Sequence, residues 1–174
     1  MANLSQPVIN VTNLEQVCMV VRDVNKSIES LWNTFGIGPW NVFIINSSVL
    51  NEMTYHGKPA KFSFKMARTK NKVGGFEIEL MEPLEGDSTY RDFLTKHGEG
   101  IHHLGWQRLD SPEAVAETMK SLEKAGFPYL MSGRSPDSSF AYIDTTKVLK
   151  TILELFWLNP SATPLRPVRV FPEQ

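Results

Sequence analysis

The spacing of apolar positions changes several times along the chain, and each change marks an element. Residues 14–21 are apolar and rich in Val, as a buried strand is. Asp23 follows as an N-cap. Ile28, Leu31, Trp32 and Phe35 then fall on one face of a helix, which Gly36-Ile-Gly-Pro stops. The stretches 40–50, 61–68 and 75–82 read as strands. In 61–68, Phe62, Phe64 and Met66 alternate with Lys61, Ser63 and Lys65, which predicts one buried and one solvated face. Asp87 to His97 predicts a linker helix ended by Gly98.

The same order then returns. Strand 102–108 leads into Ser111-Pro112, an N-cap with proline at the first helical position. Val115, Met119 and Leu122 form the apolar stripe, and Gly126-Phe-Pro ends it. Stretches 128–132, 139–144 and 150–157 follow as strands. The tail 159–174 carries four prolines and reads as an extended arm. A strand, a helix and three strands, twice over, predict an α+β fold of two tandem βαβββ modules, about 12–84 and 100–158. Short turns make the pairing mostly antiparallel. The expected result is one domain over 1–174, an open sheet pair enclosing a cleft, with helices outside.

Chemistry repeats with the fold. Glu79 lies in Gly-Phe-Glu-Ile-Glu-Leu-Met and Glu154 in Thr-Ile-Leu-Glu-Leu-Phe-Trp. Gln16 precedes the first and His103 the second, each opening a strand. Each half therefore offers one amide or imidazole and one carboxylate. Singly, each of these residues is more often a solvated or hydrogen-bonded strand residue. Together, at matching places in a repeat, they predict a metal site. A Glu inside Leu-Glu-Leu-Phe also needs a partner, because an unpaired buried carboxylate is costly.

Composition narrows the class. The chain has 174 residues, 41% hydrophobic and 21% charged, as a soluble globular protein has. A net charge of −1 favours neither nucleic acid nor an anionic membrane. Cys18 is the single cysteine, so no internal disulfide can form. No signal peptide is visible, and no apolar run approaches the ~20 residues of a membrane span. The expectation is a cytoplasmic protein acting on a small molecule, assembled as a homodimer.

Gly98-Glu-Gly-Ile-His-His-Leu-Gly-Trp and Glu79-Leu-Met-Glu-Pro-Leu resemble methylmalonyl-CoA epimerases of the vicinal oxygen chelate superfamily. The likeness covers about residues 14–158. It implies metal ligands at Gln16, Glu79, His103 and Glu154. It also implies Glu154 as first candidate base and Glu79 as second. Gln16 departs from the His usual in epimerases and is similar to the first ligand of eukaryotic glyoxalase I. Strand alternation favours His103 over His102, since neighbours in a regular strand face opposite ways. On the ligand face, Cys18, Met81, Ile152 and Phe156 are expected to line the cleft. Trp106 and Trp157 are expected on the other face, under helices.

One imidazole, one amide and two carboxylates suit a divalent ion such as Co, Ni, Zn, Mn or Mg. The reading is a metal-dependent isomerase or epimerase that removes a proton next to a metal-bound carbonyl. The substrate is expected to be a small acid or acyl-CoA. Alternatives are a glyoxalase-type lyase, a ring-cleaving dioxygenase, which wants a second His, and a non-catalytic drug-binding protein. The basic stretch Lys61, Lys65, Arg68, Lys70 and Lys72 either meets CoA phosphates or forms a solvated edge. Segment 45–60 is longer than in epimerases, and Tyr55-His-Gly-Lys-Pro-Ala lacks the extra acid they carry there.

Overall fold

The computed structural model describes residues 7–173. The first half runs β1 (Gln16–Val20), α1 (Val24–Phe35), β2 (Trp40–Ile45), β3 (Glu52–Tyr55), β4 (Lys58–Pro59), β5 (Ser63–Thr69) and β6 (Glu77–Glu85). Helix α2 (Thr89–His97) leads to the second half. That half is β7 (Gly100–Arg108), α3 (Pro112–Lys124), β8 (Tyr129–Ser135), β9 (Ser138–Ile143), the short α4 (Thr146–Leu149) and β10 (Ile152–Leu158). Strand β11 (Arg169–Phe171) ends the chain.

The two predicted sheets are one curled sheet, a half-barrel with helices outside. Its order is β11-β2-β5-β6-β1-β7-β10-β9-β8-β3-β4. The halves meet where β1 pairs antiparallel with β7. Within each half the first strand pairs parallel with the last, β1 with β6 and β7 with β10. That pairing sets the strands of Gln16 and His103 beside those of Glu79 and Glu154 at the centre of the sheet.

The helices form for the reasons read from the sequence. The Asp23 carboxylate accepts from Lys26 N, and Gly36 closes α1 in the left-handed region at φ 67°. Val24 and Ile28 are buried with Trp40, Val42, Ala67 and Leu80 on the outer face of the first half. Phe35, predicted in that stripe, is 70% exposed, because it sits on the last residue of the helix. Ser111 caps α3, which packs Val115 and Leu122 on Leu153 and Leu155 and half-covers Trp106 and Trp157, as expected.

Three features depart from the sequence reading. Stretch 40–50 is not one strand. β2 stops at Ile45, and the chain crosses to the far edge of the sheet, where β3 pairs with β8. The crossing carries Leu50 and Met53 into the apolar filling of the half-barrel, with Phe62, Phe64, Met81 and Met131. Helix α2 is more than a linker, since it buries Tyr90 in the same filling. The tail is extended but docked. β11 pairs with β2, and Arg169 donates to Asn25 Oδ1 and Glu29 Oε1 on α1.

Candidate metal centre

Four strands at the seam of the half-barrel aim side chains at one place. Gln16 stands opposite Gly105 across β1 and β7, and Glu154 stands beside Gly105 across β10 and β7. Glu79 and His103 lie one step along, on either side of Cys18. His103 Nε2 is 3.5 Å from Glu79 Oε2 and 3.5 Å from Glu154 Oε2. Gln16 Oε1 and Glu154 Oε2 lie 3.0 and 3.1 Å from where a β-carbon on Gly105 would sit. Glycine is required there because that carbon would also come within 2.8 Å of Gln16 Cβ. Gln16 and Glu154 are 7% exposed, Glu79 3% and His103 not at all.

Glu79 Oε2, His103 Nε2 and Glu154 Oε2 are buried without a hydrogen-bond partner. Leaving three such atoms bare would cost several kcal/mol in total, at about 1–3 each and more when charged. Donors held about 2.0–2.2 Å from one cation lie about 3.0–3.5 Å from each other. The 3.5 Å spacings therefore suit ligands of a shared ion. Two carboxylates, an amide oxygen and an imidazole make an oxygen-rich set for a hard or borderline divalent ion.

The strand β7 is irregular on both sides of this place. Against β1, Cys18 pairs with His103 but Met19 with Ile101, so His102 is an extra residue. Against β10, Glu154 pairs with Gly105 but Leu155 with Gln107, so Trp106 is another. Such bulges re-aim side chains. The first one overturns the expectation that His102 and His103 face opposite ways. Both rings pack on Tyr142, with centroids 5.6 and 4.5 Å away, and their Nδ1 atoms are 2.8 Å apart. Burial and the neighbouring His103 hold His102 well below the ordinary imidazole range, so it is neutral. Burial opposes charge on His103, but the Glu154 carboxylate 3.5 Å away outweighs it and holds that ring well above the range.

The family model described as the Glyoxalase/Bleomycin resistance protein/Dioxygenase superfamily matches residues 15–142. The chain belongs to this superfamily. No curated protein sequence matches it. Solved structures with the same fold include methylmalonyl-CoA epimerase from Mycobacterium tuberculosis, 23% identical, TM-score 0.57, over 86% of this chain and 90% of that one. A Streptomyces coelicolor methylmalonyl-CoA epimerase variant in complex with 2-nitronate-propionyl-CoA is 19% identical, TM-score 0.60, over 89% and 100%. A methylmalonyl-CoA epimerase in complex with methylmalonyl-CoA and NH4+ gives 19%, 0.59, 89% and 100%.

Several other side groups stand at or beside the site. Cys18, expected on the ligand face as cleft lining, lies with its thiol within 4.8 Å of ligand atoms of Glu79 and His103. It stands opposite both of them in the sheet. In the ion-free site burial pushes its thiol up to about 12, so it stays protonated there and is a poor nucleophile. Met81 and Ile152 join Cys18 in the apolar filling, and Phe156 lies under Arg108 with the guanidinium 5.5 Å from its ring. The fully buried phenols of Tyr90 and Tyr142 went unread; they hydrogen-bond to each other at 2.5 Å. The basic stretch is largely neutralised in place. Lys65 pairs with Glu82, Arg68 with Glu77 and Lys72 with Glu15, which argues against a phosphate-binding role for these three. Among the described residues, no helix is long and apolar enough to cross a membrane.

Proposed function

We propose that the protein is a metal-dependent isomerase or epimerase acting on a small acid or an acyl-CoA-type substrate. Gln16, Glu79, His103 and Glu154 are its metal ligands in this reading. The observation that carries it is the meeting of three partnerless buried donor atoms, from both halves of the chain, with Gln16 Oε1 around Gly105. A divalent ion there supplies Lewis-acid polarisation of the substrate carbonyl.

The chain's own groups do the rest. Glu154 keeps some exposure and faces the space above Gly105, so it can reach a carbon held there. It takes the proton as the C–H bond breaks and the electron pair moves into the carbonyl as an enolate. Glu79, from the other half, stands across His103 from Glu154; a proton it has taken from water goes to the opposite face of the enolate, and Glu154 gives its own proton up to water. Tyr90, Tyr142 and Met81 exclude water beside them, which strengthens each electrostatic contact. The epimerase reading draws support from the solved structures that share this fold, among them an epimerase in complex with methylmalonyl-CoA. The lone imidazole ligand counts against ring-cleaving oxygenase chemistry, which uses two His and one carboxylate.

Gln16 favours a glyoxalase-type lyase as the second reading, in which the proton returns to the adjacent carbon instead. A cytoplasmic homodimer belongs to the proposal, and a strictly monomeric mass by light scattering would remove the dimer. The deciding experiment is metal analysis of the purified protein, followed by a solvent-deuterium screen of acyl-CoA and 2-oxo compounds. Deuterium should enter beside the carbonyl. Turnover that needs oxygen, or that proceeds without exchange, would sink the isomerase reading.

A further inference from the structure

The inner face of the first half carries a cation beside the metal ligands. Arg68 stands opposite Glu79 across β5 and β6, and such partners share a face of the sheet. Phe64, four residues earlier on the same strand, lies in the apolar filling, while Ala67 lies in the outer core. Arg68 therefore belongs to the inner face. Along β1 and β6 the paired rows run Gln16 and Glu77, Cys18 and Glu79, Val20 and Met81. Val20 and Met81 belong to the filling, so the ligands are closed off on that side. Glu77 and Arg68 stand on the other. Their side chains are 26% and 27% exposed, where those of Glu79 and Glu154 are 4% and 9%. Arg68 Nε donates to Glu77 Oε2 at 3.0 Å, and Nη2 donates to the same oxygen. A guanidinium has five N–H groups. Both on Nη1 and one on Nη2 remain, a fork at the tip of the side chain, and among the described residues no acceptor meets it.

We propose that Arg68 determines substrate specificity, its free fork holding the carboxylate of a small acid whose carbonyl lies toward Gly105. Taken with the function proposed above, on which it rests, this makes the substrate a free acid rather than an acyl-CoA. Two parallel N–H groups match the two oxygens of a carboxylate in one plane, which a lysine cannot do. The half-buried setting strengthens that contact, because less water competes for it. Glu77 holds the guanidinium from its Nε side, which leaves the tip pointing free, and offsets part of its charge. An acyl-CoA would bring phosphates as well, but nearby lysines are already engaged, Lys65 by Glu82 and Lys72 by Glu15. Arg108, the cation of the second half, is exposed and lies over Phe156. It is the comparison residue for a general effect of positive charge.

The probes are 4-oxopentanoate and its methyl ester, which keeps the carbonyl and lacks the charge. Both are titrated by calorimetry into metal-loaded full-length protein. The acid should bind about tenfold tighter than the ester or more, the scale of one hydrogen bond to a charged group. Arg68→Met combined with Glu77→Gln removes both charges of the pair, so no carboxylate is left bare. It should erase the preference for the acid and leave the ester as before. Glu77→Gln alone leaves the charge of Arg68 without its offset, so the acid should bind more tightly than in the wild type; a merely structural ion pair gives no such gain. Arg108→Met should keep the preference. Metal-stripped protein separates this contact from the metal reading. A preference that survives stripping and is lost in the double variant supports Arg68, even if analysis finds no native metal. A preference that is lost with the metal and kept in the double variant places the carboxylate on the cation and overturns the proposal. Displacement of the acid by coenzyme A, or no saturation by the acid in the millimolar range, overturns it as well.

Discussion

His102 and His103, neighbours in the sequence, turn their rings to the same side of β7 and meet through Nδ1 atoms 2.8 Å apart. The bulge against β1 makes this possible by inserting His102 as an unpaired residue. A histidine that ligates through Nε2 is commonly oriented by a partner on its other nitrogen. Here that partner is the preceding residue.

The first prediction separates the two histidines. His103→Ala should lose bound metal altogether. His102→Ala should still reach about one ion per chain at saturating metal, with affinity about 10–100-fold lower, the usual scale for a group behind a ligand. Elemental analysis and a metal titration read both quantities. Full loss in His102→Ala with retention in His103→Ala would exchange their roles.

Gly105 offers a test with no charge change. Gly105→Ala places a methyl 2.8 Å from Gln16 Cβ and about as close to the two ligand oxygens. Overpacking of this kind costs about 1–3 kcal/mol, so the melting temperature should fall while the far-ultraviolet spectrum is kept. Metal affinity should drop at least tenfold, because the methyl takes the space between Gln16 and Glu154. An unchanged affinity would move the metal away from Gly105.

Glu154→Gln keeps the shape and one ligating oxygen but no base. Partial metal binding should persist, while solvent exchange at the substrate carbon falls by about two orders of magnitude or more. The measurement is deuterium incorporation followed by NMR. Exchange at the wild-type rate would pass the base role to Glu79.

Metal binding should release a proton. In the metal-free protein His103 is held well above the ordinary imidazole range. A raised pKa means that the charged ring stabilises the fold fully below the ordinary imidazole value. That contribution is lost as pH rises through the folded value. A cation must displace this proton, so affinity should climb with pH over the same window. Calorimetry in buffers of different ionisation enthalpy counts the protons released, and a count of zero would contradict the charged ring.

The crossing segment is the last target. Met53 is buried beneath it with Met81 and Met131, so Met53→Ala should cost about 2–5 kcal/mol. Denaturant unfolding measures this. A loss within ±0.5 kcal/mol would mean that the hairpin is not packed on the filling, since substitutions that touch nothing stay in that range.

Much of this was legible in the one-dimensional pattern because it depends on local rules. The caps at Asp23 and Ser111, the alternation of Phe62, Phe64 and Met66, and the Glu-Leu repeat report backbone period and burial directly. They set the βαβββ order and picked out Gln16, Glu79, His103 and Glu154, which the fold brings together at Gly105. What they could not report were events between strands distant in sequence. A bulge is a mismatch in residue count between paired strands, so the shared direction of His102 and His103 exists only once β1 lies against β7. The destination of the 46–60 crossing depended on an open edge at β8, over eighty residues from its start. Sequence period determined which faces are apolar; strand register and edge pairing decided which polar atoms are left facing one another.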